Sequence, residues 1–487
     1  MFVRSTFFNN KYDLTASVTT DGNSALASGN KYNTYPSIGL GWVLSNESFI
    51  KRYNFIDNLK LRAGYGSTST TNTIFPYNTI GQLNASKYQY GGSSAGNAQG
   101  VRVTTLPNPT LTWQRTNEYN LALDFGLFKN RLTGSVEVYS QRTTGILLQN
   151  QLPITNGASG QITNLGTSAN RGLEITLSSI NLQNVGGFTW STDYNMSFSR
   201  ERIVELPNGS QFNIPSGLFV GSPLNVIYDV KKLGIWQLSD SPGIDNSKPQ
   251  TSGPVYLPVR GQAGTLQYPG QIRVEDVNKD GIIDAKDNQI IGNFQPKYQF
   301  GMTNRFSYKN FDLSIVIQGR MKFTTLVPYV SSANSAYIGW QYLNLGRHNQ
   351  PVIDYWTPTN PTNAFPMPNA QLQSNYYSTL QYFDGSWIRA KSINLGYNIP
   401  SNIVKRIGLN SLRVYANVTN PFIIYAPIMN KSFSVTDPES VYNQQVINSI
   451  TTGNVGGQDG NNNNYRGLAL SPGLQTRDFI FGINARF

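Results

Sequence analysis

One stretch of the 487-residue sequence carries chemistry in its spacing: Asp276-Val277-Asn278-Lys279-Asp280-Gly281-Ile282-Ile283-Asp284-Ala285-Lys286-Asp287. Counted from Asp276, side-chain oxygens fall at about the first, third, fifth, ninth and twelfth places, with glycine at the sixth. Asp276, Asn278, Asp280, Asp284 and Asp287 supply those oxygens, and Ile282 offers a backbone carbonyl. Hard oxygen ligands in this order suit Ca²⁺, and Gly281 permits the sharp turn between them. Two features depart from a helix–loop–helix calcium site: Asp287 stands where a longer Glu is usual, and no helical pattern flanks the loop. The competing reading is an Asx- and Gly-rich turn that needs no metal.

Few other residues have the types or spacing for chemistry. Cysteine is absent, which removes disulfides, thiol catalysis and Cys-based metal sites. The lone histidine, His348, reads as a solvated loop residue rather than a base or zinc ligand. No Gly-rich phosphate loop and no convincing carboxylate pair is present, so an enzyme is not expected. The net charge of +12 comes from 38 basic and 26 acidic residues spread along the chain without a dense basic run, so nucleic acid is not an expected partner. Aromatics in one long connection, Tyr337, Trp340, Tyr342 and Trp356 beside Tyr355, are candidates to stack on sugar rings or peptide side chains. An interfacial belt or packing of the loop on itself accounts for them equally well.

The elements that position these residues are strands. Aromatics are 12% of the chain and charged residues only 13%, about half the soluble norm, which suits strands with one apolar and one wet face. No stretch approaches the roughly 18 apolar residues of a membrane-spanning helix. Period-2 alternation recurs throughout: Tyr12, Leu14, Ala16 and Val18; Ile38, Leu40, Trp42 and Leu44; Leu59, Leu61, Ala63 and Tyr65; Tyr119, Leu121, Leu123 and Phe125; Leu412, Val414, Ala416 and Val418. The pattern predicts about 14–16 strands, each near the length that crosses a tilted bilayer path. Residues 199–292 do not parse into such strands.

Connections alternate in length. Leu127–Arg131, Asn181–Gly187, Tyr308–Asn310 and Pro400–Leu409 are short, whereas Leu148–Thr163, Arg320–Leu380 and Ala426–Gln475 are long. Long loops confined to one end are the mark of an antiparallel transmembrane barrel with short periplasmic turns. By that parity the loop 276–287 is extracellular. The chain closes on Phe479, Phe481, Ile483, Ala485 and Phe487, one face of an amphipathic strand whose terminal Phe487 resembles a barrel-insertion signal.

Several motifs then resemble SusC/RagA-type TonB-dependent transporters, in order along essentially the whole chain. They are Tyr35-Pro36-Ser37-Ile38-Gly39-Leu40-Gly41-Trp42, Leu59-Lys60-Leu61-Arg62-Ala63-Gly64-Tyr65-Gly66, and Leu111-Thr112-Trp113 with Asn120-Leu121-Ala122-Leu123-Asp124-Phe125. Asn170-Arg171-Gly172-Leu173-Glu174, Trp356-Thr357-Pro358-Thr359-Asn360-Pro361 and Asp384-Gly385-Ser386-Trp387-Ile388-Arg389 continue the series. The resemblance implies an outer-membrane barrel of about 22 strands with an N-terminal plug, a TonB-contacting segment and a SusD-like lid lipoprotein. It also implies outer-membrane lipids around the wall and a glycan or peptide as substrate. The expectation for residues 1–487 is the C-terminal portion of such a barrel, all-β and incomplete, with no plug domain and no export signal within it. A partial barrel would leave unpaired edges at Phe2–Phe8 and Phe479–Phe487 and would tend to aggregate alone. The alternative is a calcium-stabilised surface adhesin without transport activity, which plain buffer would keep folded.

Overall fold

The computed structural model describes residues 2–71, 74, 77, 79–89, 97–151, 155, 157, 160–164, 166–214, 217–224, 226–248, 255–260, 266–327, 353–367, 376–430, 437–439 and 475–486. The chain divides into two compact units: Met1–Asn213 with Leu218–Leu224, and Ile214–Gly217 with Asn225–Phe487. Among the described residues no helix is long and apolar enough to cross a membrane.

The first unit is built on eight consecutive antiparallel strands: β1 (Phe2–Phe8), β2 (Tyr12–Gly22), β3 (Tyr32–Val43), β4 (Ile56–Thr70), β5 (Gln114–Leu127), β6 (Leu132–Thr144), β7 (Thr167–Val185) and β8 (Phe188–Glu205). Each pairs with its neighbours in sequence order, and the alternation of the side chains fixes the register. Leu14 lies opposite Leu40, Leu40 opposite Ala63, Ala63 opposite Leu121, Leu121 opposite Val138, and Leu173 opposite both Val138 and Phe198. This apolar row runs across seven strands, exposed at Leu14, Leu40, Leu121 and Val138 and half-buried at the other three; Leu40 keeps 53% of its surface and Leu121 48%. A protein in water rarely leaves apolar patches beyond roughly a few hundred Å² open, so the face is built for lipid.

The opposite face is polar and tied together by ions. Lys60 meets Asp13 at 2.5 Å, and the Arg62 guanidinium grips Asp124 with two bonds of 2.7 and 2.9 Å and reaches Glu137 at 3.5 Å. Such pairs belong on a lumen wall, where water and neighbouring charges keep them solvated.

The second unit repeats the design in five strands: β9 (Tyr298–Tyr308), β10 (Phe311–Met321), β11 (Trp387–Asn398), β12 (Ser411–Tyr425) and β13 (Asp478–Arg486). Phe306, Leu313, Leu395, Ala416 and Phe481 form its apolar row. On the polar face Arg413 bonds Asp312 at 2.5 and 3.0 Å while lying over Gly396, where a Cβ would sit 2.3 Å from the guanidinium. A Cβ there would have to push the flexible end of Arg413 aside.

The wall strands among the described residues number 13, just short of the range the alternation suggests. Gln82–Gln89 and Asn97–Thr105 pair with each other in a separate small sheet within a long connection. Of residues 199–292, which resisted parsing, 199–205 complete β8, and the described residues from 206 to 297 are a long connection with short pieces of strand.

The length asymmetry of the connections holds. Residues 9–11, 128–131, 186–187 and 309–310 are tight turns, and 44–55 and 399–410 are modest; at the other strand ends residues 71–113, 145–166, 206–297, 322–386 and 426–477 are long, and 23–31 is the short exception. Aromatics mark the short-turn end in each unit. Tyr12 stacks on Trp42 at 6.3 Å and Phe55 on Phe128 at 5.8 Å in the first, and Phe311 meets Tyr397 at 4.6 Å in the second. Rings at that height are what a girdle at a membrane–water boundary requires.

Candidate functional site

The long loops of the second unit carry most of the sequence-predicted residues and fold into a packed module of their own. Val226–Asp229 pairs with Gln289–Asn293, Lys232–Ile235 with Ile272–Val274, and Thr324–Leu326 with Tyr382–Asp384. Between them lies a core of Ile235, Ile272, Phe323, Trp356, Leu380 and Trp387. Trp356 is 2% exposed and its indole N–H donates to Gln237 Oε1 at 2.9 Å. It is an anchor of this core and turns no ring face to a ligand, which corrects its assignment as a stacking residue; its neighbour Tyr355 is 42% exposed. Tyr337, Trp340, Tyr342, His348 and Phe487 lie outside the described residues.

The recurrent motifs acquire reasons here. In Asp384-Gly385-Ser386, the Asp384 carboxylate accepts from the Ser386 amide at 2.9 Å and hydroxyl at 2.5 Å, while Ser386 Oγ accepts from the Lys322 amide. A Cβ on Gly385 would fall 2.5 Å from the Phe323 ring, so the backbone must come that close bare. In the segment after Trp356, Asn360 donates its amide to Asp354 and to the Tyr355 carbonyl, both at 2.9 Å, closing a tight turn. The Asp354 carboxyl is held below its ordinary range by hydrogen bonds from Thr362 and then Asn360.

The loop 276–287 is shaped by its own acids. Asp276 accepts from the amides of Lys279 at 2.7 Å and Gly281 at 3.1 Å, and Arg260 pairs with the same carboxylate. Asn278 accepts from the Asp280 amide, and Asp280 from the Ile282 amide. Asp287, fully buried, accepts from Val277 and Asp284 amides at 2.8 and 2.9 Å, one on each oxygen. Gly281 has φ +88°, the left-handed backbone that glycine allows without strain. Burial opposes charge on Asp276, but the Gly281 amide, Arg260 and the Lys279 amide outweigh it and hold its pKa below the usual value. Nearby Glu275 is likewise lowered, by Lys231 first and Gln289 second. The oxygens are thus occupied by N–H donors and a guanidinium, and among the described residues no three acidic or histidine side chains converge to hold a metal ion. The donor types and spacing suit calcium, while the folded loop does not gather them around one point.

Two features of the module escaped sequence reasoning. A cleft of about 400 Å³ opens beside Lys231, Lys232, Asn363, Phe365, Tyr382 and Phe383. Arg389, on β11, is buried to 3% and pairs with Asp437 and, at 2.8 Å, with Glu439; Lys391 also reaches Glu439 at 2.8 Å. Only the basic–acidic composition of Arg389, Lys391 and Asp437-Pro438-Glu439 hinted at this, and separation in sequence hid it.

Comparison with known proteins follows the same architecture. The family described as TonB dependent receptor-like, beta-barrel matches residues 3–421. TonB-dependent receptor P26 of Formosa agariphila is 30% identical over 95% of this chain and 44% of its own length. TonB-dependent receptor P3 of the same organism is 29% identical over 99% and 44%, and TonB-dependent receptor SusC of Bacteroides thetaiotaomicron 27% over 85% and 39%. The RagAB peptide transporter structure superposes with a TM-score of 0.67 at 21% identity, over 89% of this chain and 44% of that one. The chain spans less than half the length of the curated relatives it matches.

Proposed function

Since the chain belongs to the TonB-dependent receptor-like β-barrel family, an outer-membrane family of transporters and receptors, we propose that it forms the outer-membrane wall and outer loops of a SusC-like importer. The carrying observation is strand walls with an apolar face and an ion-tied polar face in each unit, and in the second unit long loops packed into a module. In this reading the wall surrounds a plug that TonB deforms, and a SusD-like lipoprotein closes over the loop module when ligand arrives. Oligosaccharides or peptides are the substrate classes: SusC is among the relatives, and the RagAB peptide transporter shares the fold. Deleting the gene in its host should abolish uptake of a labelled oligosaccharide or peptide pool, with restoration by the intact gene. Unchanged uptake of both pools would sink the importer reading. Co-purification of a lipoprotein with the tagged receptor tests the partner separately.

Calcium at the loop is part of the same proposal, supported by donor chemistry and spacing. Asp276, Asn278, Asp280, Asp284, Asp287 and the Ile282 carbonyl would hold it, neutralising the acids and ordering the loop. A cation entering there must displace Arg260 from Asp276.

A further inference from the structure

The short-turn end of the first unit has a corner that the transport reading leaves without a task. Residues 44–55 join β3 to β4, and residues 128–131 join β5 to β6. The two turns are bonded to each other: the Phe128 amide donates to the Phe55 carbonyl at 2.8 Å, and the Asn130 amide to Asp57 Oδ2 at 2.8 Å. Phe128, Lys129 and Asn130 all lie in the left-handed region, with φ of 58°, 60° and 58°. Each such residue is disfavoured by roughly 1–2 kcal/mol, so the turn is held in a shape that free chain would not choose.

That shape exposes a patch of rings ringed by cations. Phe49, Tyr53, Phe55 and Phe128 keep 46, 41, 46 and 54% of their surface open. Tyr53 and Phe55 touch at 6.1 Å, Phe55 and Phe128 at 5.8 Å, and Trp42 and Phe49 at 6.5 Å. Arg52 lies over the Tyr53 ring at 5.0 Å; Lys51 and Lys129 flank the patch and are exposed. Among the described residues none of these three cations pairs with a carboxylate. The two acids close by are already engaged, Glu47 by Lys11, Tyr12 and Trp42, and Asp57 by the Asn130 amide.

Open rings at the edge of a lipid-facing wall sit at the depth where acyl chains meet headgroups. Cations just beyond them sit at the depth of the phosphates. We propose that this corner binds an anionic phospholipid of the periplasmic leaflet. The headgroup charge and phosphate pair with Lys51, Arg52 and Lys129, and the acyl carbons lie along Phe49, Phe55 and Phe128. The proposal rests on the membrane-spanning wall and is independent of what the receptor imports.

The test is native mass spectrometry of the detergent-purified receptor titrated with dioleoylphosphatidylglycerol or dioleoylphosphatidylcholine, with heat-modifiable gel migration as the check on folding. The intact receptor should bind phosphatidylglycerol more tightly, and less so as salt rises. Lys129→Asn, which tolerates the left-handed backbone, should weaken phosphatidylglycerol binding by roughly fivefold, and the Lys51→Gln/Arg52→Gln/Lys129→Asn variant by about a hundredfold. Lys279→Gln/Lys286→Gln in the long-loop module should change nothing. A folded receptor with equal affinity for both lipids, or a folded triple variant that keeps its preference, overturns the lipid site and leaves the wall standing. A chain that stays folded and monodisperse without detergent overturns both.

Discussion

Asp287 shows what one buried acid does in the loop 276–287. Both of its oxygens are taken by backbone amides, and the side chain is fully enclosed. Asp287→Ala takes away the acceptor of two part-buried amide N–H groups, so this loop should become the first protease-sensitive point of the variant. Asp276 adds a pH dependence whose sign follows from its lowered pKa in the folded loop. A depressed carboxyl stabilises above its unfolded value and loses that stability as pH falls through the folded one. Amide protection at Lys279 and Gly281 should therefore hold at neutral pH and decline once pH drops below about 4. Arg260 competes with any cation for the same carboxylate, so Arg260→Ala should tighten calcium binding several-fold, and Asp276→Asn should weaken it, both read by terbium luminescence. Tighter terbium binding in Asp276→Asn would remove Asp276 from the ligand set. The spacing of these oxygens was legible in the sequence; their partners were not, because Arg260 lies outside the motif.

At the scale of elements, alternation located the wall strands because one face of each meets lipid and the other the wet lumen. Leu14, Leu40, Ala63 and Leu121 announced a shared face before any pairing was known, and the structure places them in one row. Alternation says nothing of the loops, where Gln82–Gln89 and Asn97–Thr105 pair in a sheet apart from the wall. The stacking role read for Trp356 fails because exposure of a loop aromatic depends on packing among segments far apart in sequence. Arg389 is the sharpest case of such a contact. Its guanidinium, on a wall strand, clasps Asp437 and Glu439 of the connection to β13. Removing one partner of a buried ion pair costs about 3–5 kcal/mol, since the remaining charges stay desolvated. Arg389→Met should release residues 437–439 and raise their hydrogen exchange while the strands of β11 and β12 stay protected. Exchange unchanged at 437–439 would mean that other contacts hold this segment.

For the molecule as a whole, orientation is the property on which both proposals depend. In each unit the short turns and the ring pairs lie at one end and the long loops at the other, which argues that the turns face the periplasm and the long loops face outward. The chain offers a clean way to check this, because it contains no cysteine of its own. Lys279 stands exposed in the loop module, and Lys129 at the tip of a tight turn. Neither side chain carries an ion pair among the described residues, so Lys279→Cys and Lys129→Cys should leave the fold intact. A membrane-impermeant maleimide added to intact cells should label Lys279→Cys and spare Lys129→Cys, and both should react once the cells are broken. The reverse pattern would invert the orientation and move the lipid corner to the outer surface. Equal labelling of both in intact cells would mean that the wall does not separate two compartments, and the importer reading would fall with it.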